Sequence, residues 1–453
     1  MKISNKNVLV IGLGISGVST IKALNKLGAL VWVTDTKNEE DLKEVLDALK
    51  GIAIKKALGV SDMDLTQIDL IIKSPGVPPH IPIINKALGL GIEVTSDLEL
   101  SFRLGLNHNF IAITGTNGKT TTTTLTGEIF RAANFNTHVV GNIGKGILSD
   151  LIDSKEEDVF VIEASSFQLE HSRYFKAKAS LILNLAPDHL DWHGSYENYI
   201  NAKKKIFINQ NSDDYLVLNY DDHLLRSFKD EVKASIIWIS TNEKLDKGIY
   251  LDDEYIIINK GQETIKLMSC KDIKILGRHN IENILGSIGI CYAMGIDLNL
   301  VKETIENFKG VEHRLEFVEE KKGIKFYNDS KGTNPEASIK AIEAIAAPII
   351  LIAGGYDKSS DYDDLILSFN GKVKAMILLG ETKYKIKESA DRNNFRDYYL
   401  VENLEEAVNL SYQLGAKGDN TLLSPACASW DMFKDFEERG KLFKEAVHRL
   451  GVD

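Results

Sequence analysis

The stretch Ile111-Ala112-Ile113-Thr114-Gly115-Thr116-Asn117-Gly118-Lys119-Thr120-Thr121-Thr122-Thr123 decides how this chain folds. An apolar strand over 110–113 breaks at glycine and delivers Lys119 and Thr120 to the start of a predicted helix. Backbone N–H groups at such a turn wrap phosphate oxygens, a lysine neutralises charge, and a hydroxyl reaches Mg²⁺. The spacing is Gly115-x-x-Gly118-Lys119-Thr120. Ile113 stands where the longer form of the phosphate loop carries its first glycine.

The pattern repeats on either side, which predicts α/β architecture. Downstream, a strand over 159–162 ends at Glu163, and one over 181–184 leads to Asp188 and His189. A helix is expected over 196–208, strands over 215–218 and 235–239, a hairpin over 249–266 turning at Lys260-Gly261, and a helix over 280–294. Upstream, a strand over 8–11 runs into Gly12-Leu13-Gly14-Ile15-Ser16-Gly17 and a helix to Leu27. A strand over 30–34 ends at Asp35, and another over 70–73 ends in Ser74-Pro75-Gly76. Glycines at such a turn let phosphates approach backbone amides, and an acid about 20 residues on can meet a ribose or sugar hydroxyl. A nicotinamide dinucleotide, another nucleotide and a purely structural turn all fit that fingerprint. A third block begins near Gly310, with strands over 348–353, 375–379 and 421–423. Polar loops follow the strands in all three blocks, where open α/β sheets gather ligands.

The 453 residues allow about three domains at ~150 residues each. Hydrophobic residues make up 43% of the chain, so large cores can form. The net charge of −11 argues against a dedicated nucleic-acid binder. Cys270, Cys291 and Cys427 form no C-x-x-C pair, so neither a zinc knuckle nor a disulfide framework is expected, and a reducing cytoplasm fits. No apolar run reaches the ~18 residues that span a bilayer. The N-terminal apolar segment is short, runs into glycines and reads as a first strand rather than a secretion signal.

Several groups can carry chemistry. Glu163 at a strand end suits Mg²⁺, a hard cation held by carboxylates and phosphates; an acid favoured by a helix dipole is the plainer reading. His189 is a candidate second metal ligand or an ordinary loop histidine. Lys203, Lys204 and Lys205 sit on a predicted helix at about 100° per residue, so one can face inward while two stay in water. A buried neutral amine there can react with CO₂ to give a carbamate, a bidentate anion suited to Mg²⁺. In the third block, three polar clusters are expected to converge: 328–335, 354–358 and 423–433. Lys358 can grip a carboxylate or phosphate, and Ser429 can donate to a carboxylate.

Taken together, these motifs resemble the Mur ligase family, ATP-dependent enzymes that add amino acids to the peptidoglycan precursor. The short phosphate loop, Glu163-Ala164-Ser165-Ser166-Phe167-Gln168-Leu169-Glu170, Asn184-Leu185-Ala186-Pro187-Asp188-His189-Leu190-Asp191-Trp192-His193-Gly194, Gly277-Arg278-His279-Asn280-Ile281-Glu282-Asn283 and His313-Arg314 match in order. The strings Asn328-Asp329-Ser330-Lys331-Gly332-Thr333-Asn334 and Leu423-Ser424-Pro425-Ala426-Cys427-Ala428-Ser429-Trp430-Asp431 resemble the branch that adds D-glutamate to UDP-N-acetylmuramoyl-L-alanine.

The resemblance implies three domains: a Rossmann-like UDP-binding domain (1–97), a central P-loop ATPase-like domain (98–310) and a Rossmann-like C-terminal domain (311–453). It implies an amide ligase working through an acyl phosphate, in cell-wall precursor synthesis and hence in cell shape and division. Gly115, Thr116, Asn117, Gly118, Lys119, Thr120 and Thr121 would bind ATP, with Asn283, Arg314 and Asp329. Two Mg²⁺ would be held by Thr120, Glu163, His189 and a CO₂-derived carbamate on Lys203. Lys119, Lys203 and His189 would be catalytic. Gly14, Asp35, Thr36 and Ser74 would hold the UDP group, and Asn142 the muramoyl substrate. Thr333, Lys358, Ser429 and Phe436 would orient D-glutamate, with Lys331 nearby. The enzyme would be a cytoplasmic monomer with no nucleic-acid or membrane partner. A dehydrogenase led by the first block leaves Gly118-Lys119-Thr120 unexplained.

Overall fold

The computed structural model describes residues 2–105, 108–358 and 360–451. Three sheets form, as the strand–helix alternation predicts. The first contains β1 (Asn7–Ile11), β2 (Leu30–Asp35), β3 (Ile54–Leu58), β4 (Leu70–Lys73) and β5 (Glu93–Thr95), all parallel, in the order β3-β2-β1-β4-β5. The second contains β6 (Asn109–Thr114), β7 (Thr137–Gly141), β8 (Val159–Glu163), β9 (Ala179–Ile182), β10 (Tyr215–Asn219), β11 (Ser235–Ser240), β12 (Gly248–Asp252), β13 (Tyr255–Asn259) and β14 (Thr264–Ser269). Their order is β14-β13-β12-β11-β10-β9-β6-β8-β7. The hairpin expected over 249–266 is β12–β13, turned at Asp253, and Lys260-Gly261 instead turns β13 into β14. The third contains β15 (Glu316–Lys321), β16 (Ile324–Asn328), β17 (Ile349–Ala353), β18 (Val373–Leu378), β19 (Tyr398–Leu400) and β20 (Asn420–Leu423), in the order β15-β16-β20-β17-β18-β19.

The chain divides into two compact units, Met1–Asp272 with Ile281–Glu306, and Ile273–Asn280 with Asn307–Asp453. Within the first, a continuous core joins both sheets, from Val8 and Val33 through Leu98 to Phe110, Phe160 and Phe175. The helix Asp97–Leu104 is the joint. Ser96 caps it by accepting from Glu99 N–H, a bond of the kind worth about 1 kcal/mol. The buried Glu99 carboxylate accepts backbone N–H groups from Arg173, Tyr174 and Phe175. Phe102, on the same helix, meets Phe110 and Phe175 edge-on, with centroids 6.0 and 5.8 Å apart. In the second unit the sheet is covered on both faces, by Ile342, Leu365 and Ile386 on one and by Val408, Phe443 and Val447 on the other.

Registers place the functional loops. In the third sheet, Asn328 pairs with Leu423, and Leu423 with Ile352. The carboxyl ends of β16, β20 and β17 therefore lie side by side, and the three polar clusters leave the sheet together. One boundary differs from its sequence expectation with consequence. The strand expected over 181–184 is β9, which ends at Ile182. Asn184 is thereby free to turn its side chain onto the phosphate loop.

Candidate active site

The loop after β6 is shaped by its neighbours. Thr116 N–H donates to Asn184 O at 3.0 Å, and Asn117 N–H to Asn184 Oδ1 at 2.8 Å. Gly118, at φ +84°, caps the helix Lys119–Ala132. A Cβ there would fall 2.1 Å from Asn283 Oδ1, so only glycine fits. Asn283 lies on the helix Arg278–Ala293, which is tied along the phosphate-loop helix by Thr126 Oγ1 donating to Ser287 Oγ at 3.2 Å. The first N–H groups of a helix have no acceptor within it and carry its positive end. Thr120 and Thr121 are buried in that first turn.

Lys119 Nζ folds back to Gly115 O (2.9 Å) and Thr116 O (2.8 Å). Lys203 reaches the same loop from the helix Tyr196–Lys204. It is 2% exposed, and its Nζ donates to Gly115 O at 2.8 Å and to Thr114 Oγ1 at 3.1 Å. Of the three consecutive lysines, it is the one that faces inward. Lys204 pairs with Glu231 and Lys205 with Glu170. Burial pushes the Lys203 amine well below the usual lysine range, and the Lys119 charge pushes it further down.

Tyr199 completes this corner. It is buried one turn before Lys203, its hydroxyl is 2.8 Å from Thr116 Oγ1, and its ring centroid lies 4.8 Å from Lys203 Nζ. The sequence reading passed over it. Its signal was the i, i+4 spacing from Lys203, which puts both on one helix face.

Glu163 ends β8 next to the loop. It is 2% exposed, Oε1 accepts from Asn142 Nδ2 at 2.9 Å, and Oε2 is buried with no hydrogen-bond partner among the described residues. A buried carboxylate oxygen left unpaired is costly in a fold alone and suits a hard cation. Asn142 N–H also donates to Glu163 O, so the two ends of β7 and β8 are clamped. His189 follows β9 at φ +51° and caps the short helix Leu190–His193. That left-handed conformation costs a non-glycine residue of order 1 kcal/mol and clusters at working sites. Its ring is exposed, 4.7 Å from Phe167 and 3.5 Å from Asp188 Oδ2. Thr120, Glu163, His189 and Lys203 are thus supplied by the end of β8 and by the loops and helices that follow its neighbours β6 and β9. Their donor set, a hydroxyl, a carboxylate and an imidazole with an amine that CO₂ can convert to an anion, fits Mg²⁺.

In the first sheet, Ser74 Oγ donates to Gly12 O at 2.7 Å. Gly14 has open space where a Cβ would stand. Asp35 accepts N–H from Leu13 (2.8 Å) and Lys37 (3.0 Å), holding the glycine turn to the end of β2. Thr36 beside it is exposed.

In the second unit, Asp329 accepts from Ser424 Oγ at 2.7 Å, and burial pushes its carboxyl up to about 6. Phe436 opens the last helix, 5.6 Å from Lys331 Nζ and edge-on to His313. Arg314 and Thr333 are half-buried, and Ser429 is buried. Lys358 is exposed and stands 4.9 Å over the ring of Trp430. Arg439 escaped the sequence reading. It is buried and donates to Ser330 O, Ser330 Oγ, Cys427 O and Ala428 O, bolting two of the polar loops together. Its arginine in an otherwise amphipathic last helix gave no sign of which way it faced.

The fold and the loop after β6 place the chain among α/β proteins with a phosphate loop. Residues 6–96 match the Mur ligase MurD-like N-terminal domain, 113–291 the Mur ligase middle domain, and 313–427 the Mur ligase glutamate ligase domain. The UDP-N-acetylmuramoylalanine–D-glutamate ligase of Caldanaerobacter subterraneus subsp. tengcongensis is 47% identical over 453 residues, covering 99% of this chain and 100% of the relative. That of Clostridioides difficile is 47% identical over 451 residues, with 99% and 100% covered. Among solved structures, MurC of Thermotoga maritima superposes with a TM-score of 0.61 at 20% identity, covering 98% of this chain and 99% of that one. MurF of Acinetobacter baumannii gives 0.63 at 15% identity, with 97% and 93% covered. The chain belongs to the Mur ligase family, in its UDP-N-acetylmuramoylalanine–D-glutamate ligase branch.

Proposed function

We propose that this chain joins D-glutamate to UDP-N-acetylmuramoyl-L-alanine at the expense of ATP, in peptidoglycan precursor synthesis. The observation that carries the reading is end-to-end identity of 47% with relatives named for that reaction. The chemistry asks for an activated acid. The γ-phosphoryl group of ATP passes to the L-alanyl carboxylate, giving an acyl phosphate and ADP. The D-glutamate amine then forms the C–N bond and gives up a proton as the C–O bond breaks and phosphate leaves.

Each group has a part in this reading. Lys119 and the N–H groups opening its helix hold the ATP phosphates. Gly14, Asp35, Thr36 and Ser74 hold the UDP group, and Asn142 the muramoyl part. Thr333, Lys358, Ser429 and Phe436 take D-glutamate. Thr120, Glu163, His189 and Lys203 would hold Mg²⁺, which when bound neutralises charge gathering on phosphate and carboxylate oxygens. Lys203 serves as a carbamate: its neutral amine bonds to the carbon of CO₂, one C=O pair moves to oxygen, and the N–H proton leaves to solvent. Its burial and the neighbouring Lys119 charge support a neutral amine. The enzyme acts as a cytoplasmic monomer on this reading. No helix among the described residues is long and apolar enough to cross a membrane.

The test offers UDP-N-acetylmuramoyl-L-alanine, ATP and Mg²⁺ with D-Glu, L-Glu, L-Ala or meso-diaminopimelate in turn. Phosphate release and a new amide are expected with D-Glu alone. Turnover with another amino acid would move the chain to a sibling activity, and no ADP with any of them would end the reading.

A further inference from the structure

A second fully buried lysine lies outside the groups assigned above. Lys73 is the last residue of β4, next to Ile11 of β1, and is 1% exposed. Its Nζ donates to Val77 O at 2.7 Å and to Ser74 O and Pro75 O at 3.3 Å. Three carbonyls match the three donors of an ammonium. On its other side the Nζ stands 4.9 Å from the ring of Trp192. Burial pulls Lys73 down to about 8, while Asp97 and Glu170 pull the other way. Three carbonyl acceptors, and no donor among the described residues facing the Nζ, favour the ammonium form.

Each neighbour leads to a working loop. Ser74 Oγ donates to Gly12 O, and a Cβ on Gly12 would fall 2.9 Å from Val77 Cγ2 and 3.0 Å from Ser74 Cβ. The loop that Lys73 gathers is thus pressed onto the glycine turn of the first sheet. Trp192 belongs to the short helix that begins directly after His189, and it packs on Phe167 (4.6 Å) and His193 (4.5 Å). A charge over an aromatic face is attracted by about 0.5–2 kcal/mol, most when water is excluded.

We propose that Lys73 is a positioning residue that fixes the Ser74–Val77 loop against the His189–His193 turn, and so sets the distance between the UDP end of the substrate and its reacting end. This rests on the functional reading above. Buried as it is, Lys73 acts through the three carbonyls and through Trp192. A nucleotide substrate gripped at both ends pays for any slack between the grips, whereas on that reading ATP and D-glutamate are held by residues outside the Ser74–Val77 loop.

The experiment measures binding of UDP-N-acetylmuramoyl-L-alanine by calorimetry without ATP, and KM for all three substrates, in the full chain. The proteins are wild type, Lys73→Met, Trp192→Leu and the double variant. Lys73→Met is expected to weaken the UDP substrate about tenfold, near 1.4 kcal/mol, with KM for ATP and D-glutamate within about twofold. Trp192→Leu should weaken the same substrate selectively, and the double variant should lose less than the product of the two. Should Lys73→Met fail to fold, the selective loss in Trp192→Leu remains the deciding measurement. Unchanged affinity in folded variants, an equal shift for all three substrates, or full additivity would overturn the proposal. Absence of binding to wild type would instead strike the functional reading itself.

Discussion

Lys119 and Lys203 both donate to one atom, the carbonyl oxygen of Gly115, at 2.9 and 2.8 Å. Two ammonium ions so placed in a dry corner would repel each other strongly. The conflict is relieved if one is a neutral amine, and burial selects Lys203, which has two acceptors among the described residues, Gly115 O and Thr114 Oγ1. A neutral amine has two donors and a lone pair. The two acceptors use the donors and leave the lone pair to react. Lys73, with three carbonyl acceptors, shows the contrasting charged case.

Carbamylation of Lys203 is the first expected outcome. Protein equilibrated with ¹³C-bicarbonate should show a carbamate carbon resonance that is absent from Lys203→Ala. The same substitution should lower turnover by on the order of 100-fold or more, and formate or bicarbonate should restore part of it. A variant with normal turnover would remove Lys203 from the chemistry.

The same lysine sets a pH dependence of stability. Its folded pKa lies below its free value, so the folded state binds fewer protons than the unfolded state between the two values. Stability from this group is full above the free lysine range and is lost as pH falls through the folded value. Lys203→Met, tested without CO₂, should therefore melt higher than wild type at neutral pH. The gap should narrow as pH rises toward about 10.4. A gap that widened with pH would reverse the assignment.

Gly118→Ala tests the phosphate loop. The residue sits at φ +84°, and the new Cβ would press within 2.1 Å of Asn283 Oδ1. The left-handed backbone alone costs about 1–2 kcal/mol, and Asn283 must also move. We expect a lower melting temperature together with a raised KM for ATP, while binding of the UDP substrate is kept. Unchanged ATP kinetics would show that the loop does not hold the nucleotide.

Much of this site was legible because strand ends, glycine turns and short motifs are local. Gly118-Lys119-Thr120 announced its turn, and Glu163 announced itself as the acid ending an apolar strand. What stayed hidden depends on which way a side chain turns after the chain has folded. Three adjacent lysines look alike on paper, and packing alone put Lys203 inside and gave Lys204 and Lys205 acidic partners. The tie of Asp35 to Leu13 N–H stayed hidden because it joins residues 22 positions apart. Lys73 and Arg439 were passed over for a related reason. A buried cation is identified by carbonyls that converge from several loops, and no pattern in the sequence marks that convergence.

His193 supplies an acid-stability test. Its Nε2 lies 2.9 Å from Ser166 Oγ, and burial, then the nearby His189, push the imidazole down to about 4. The folded value lies below the free value of about 6.5, so its contribution is complete above pH 6.5 and is lost as pH falls through 4. His193→Asn should therefore show a smaller drop in melting temperature between pH 7 and pH 4.5 than wild type. Parallel pH curves for the two proteins would mean that His193 does not titrate on unfolding.

Glu163→Gln separates the cost of a site from its use. The native carboxylate has one oxygen on Asn142 Nδ2 and one buried without a partner among the described residues. Glutamine can keep the first contact through its own carbonyl oxygen, while the charge disappears. In EDTA the variant should be more stable than wild type, by about 1–3 kcal/mol, because a desolvated anion has been removed. Adding Mg²⁺ and a nucleotide should raise the melting temperature of wild type and leave the variant nearly unmoved, since linkage stabilises only the state that binds. Ligation by the variant should need at least roughly tenfold more Mg²⁺, a factor equal to about 1.4 kcal/mol of lost binding. The two signs must appear together. A variant that is destabilised in EDTA would make Glu163 a structural acid, and one that keeps its Mg²⁺ response would place the metal on other residues.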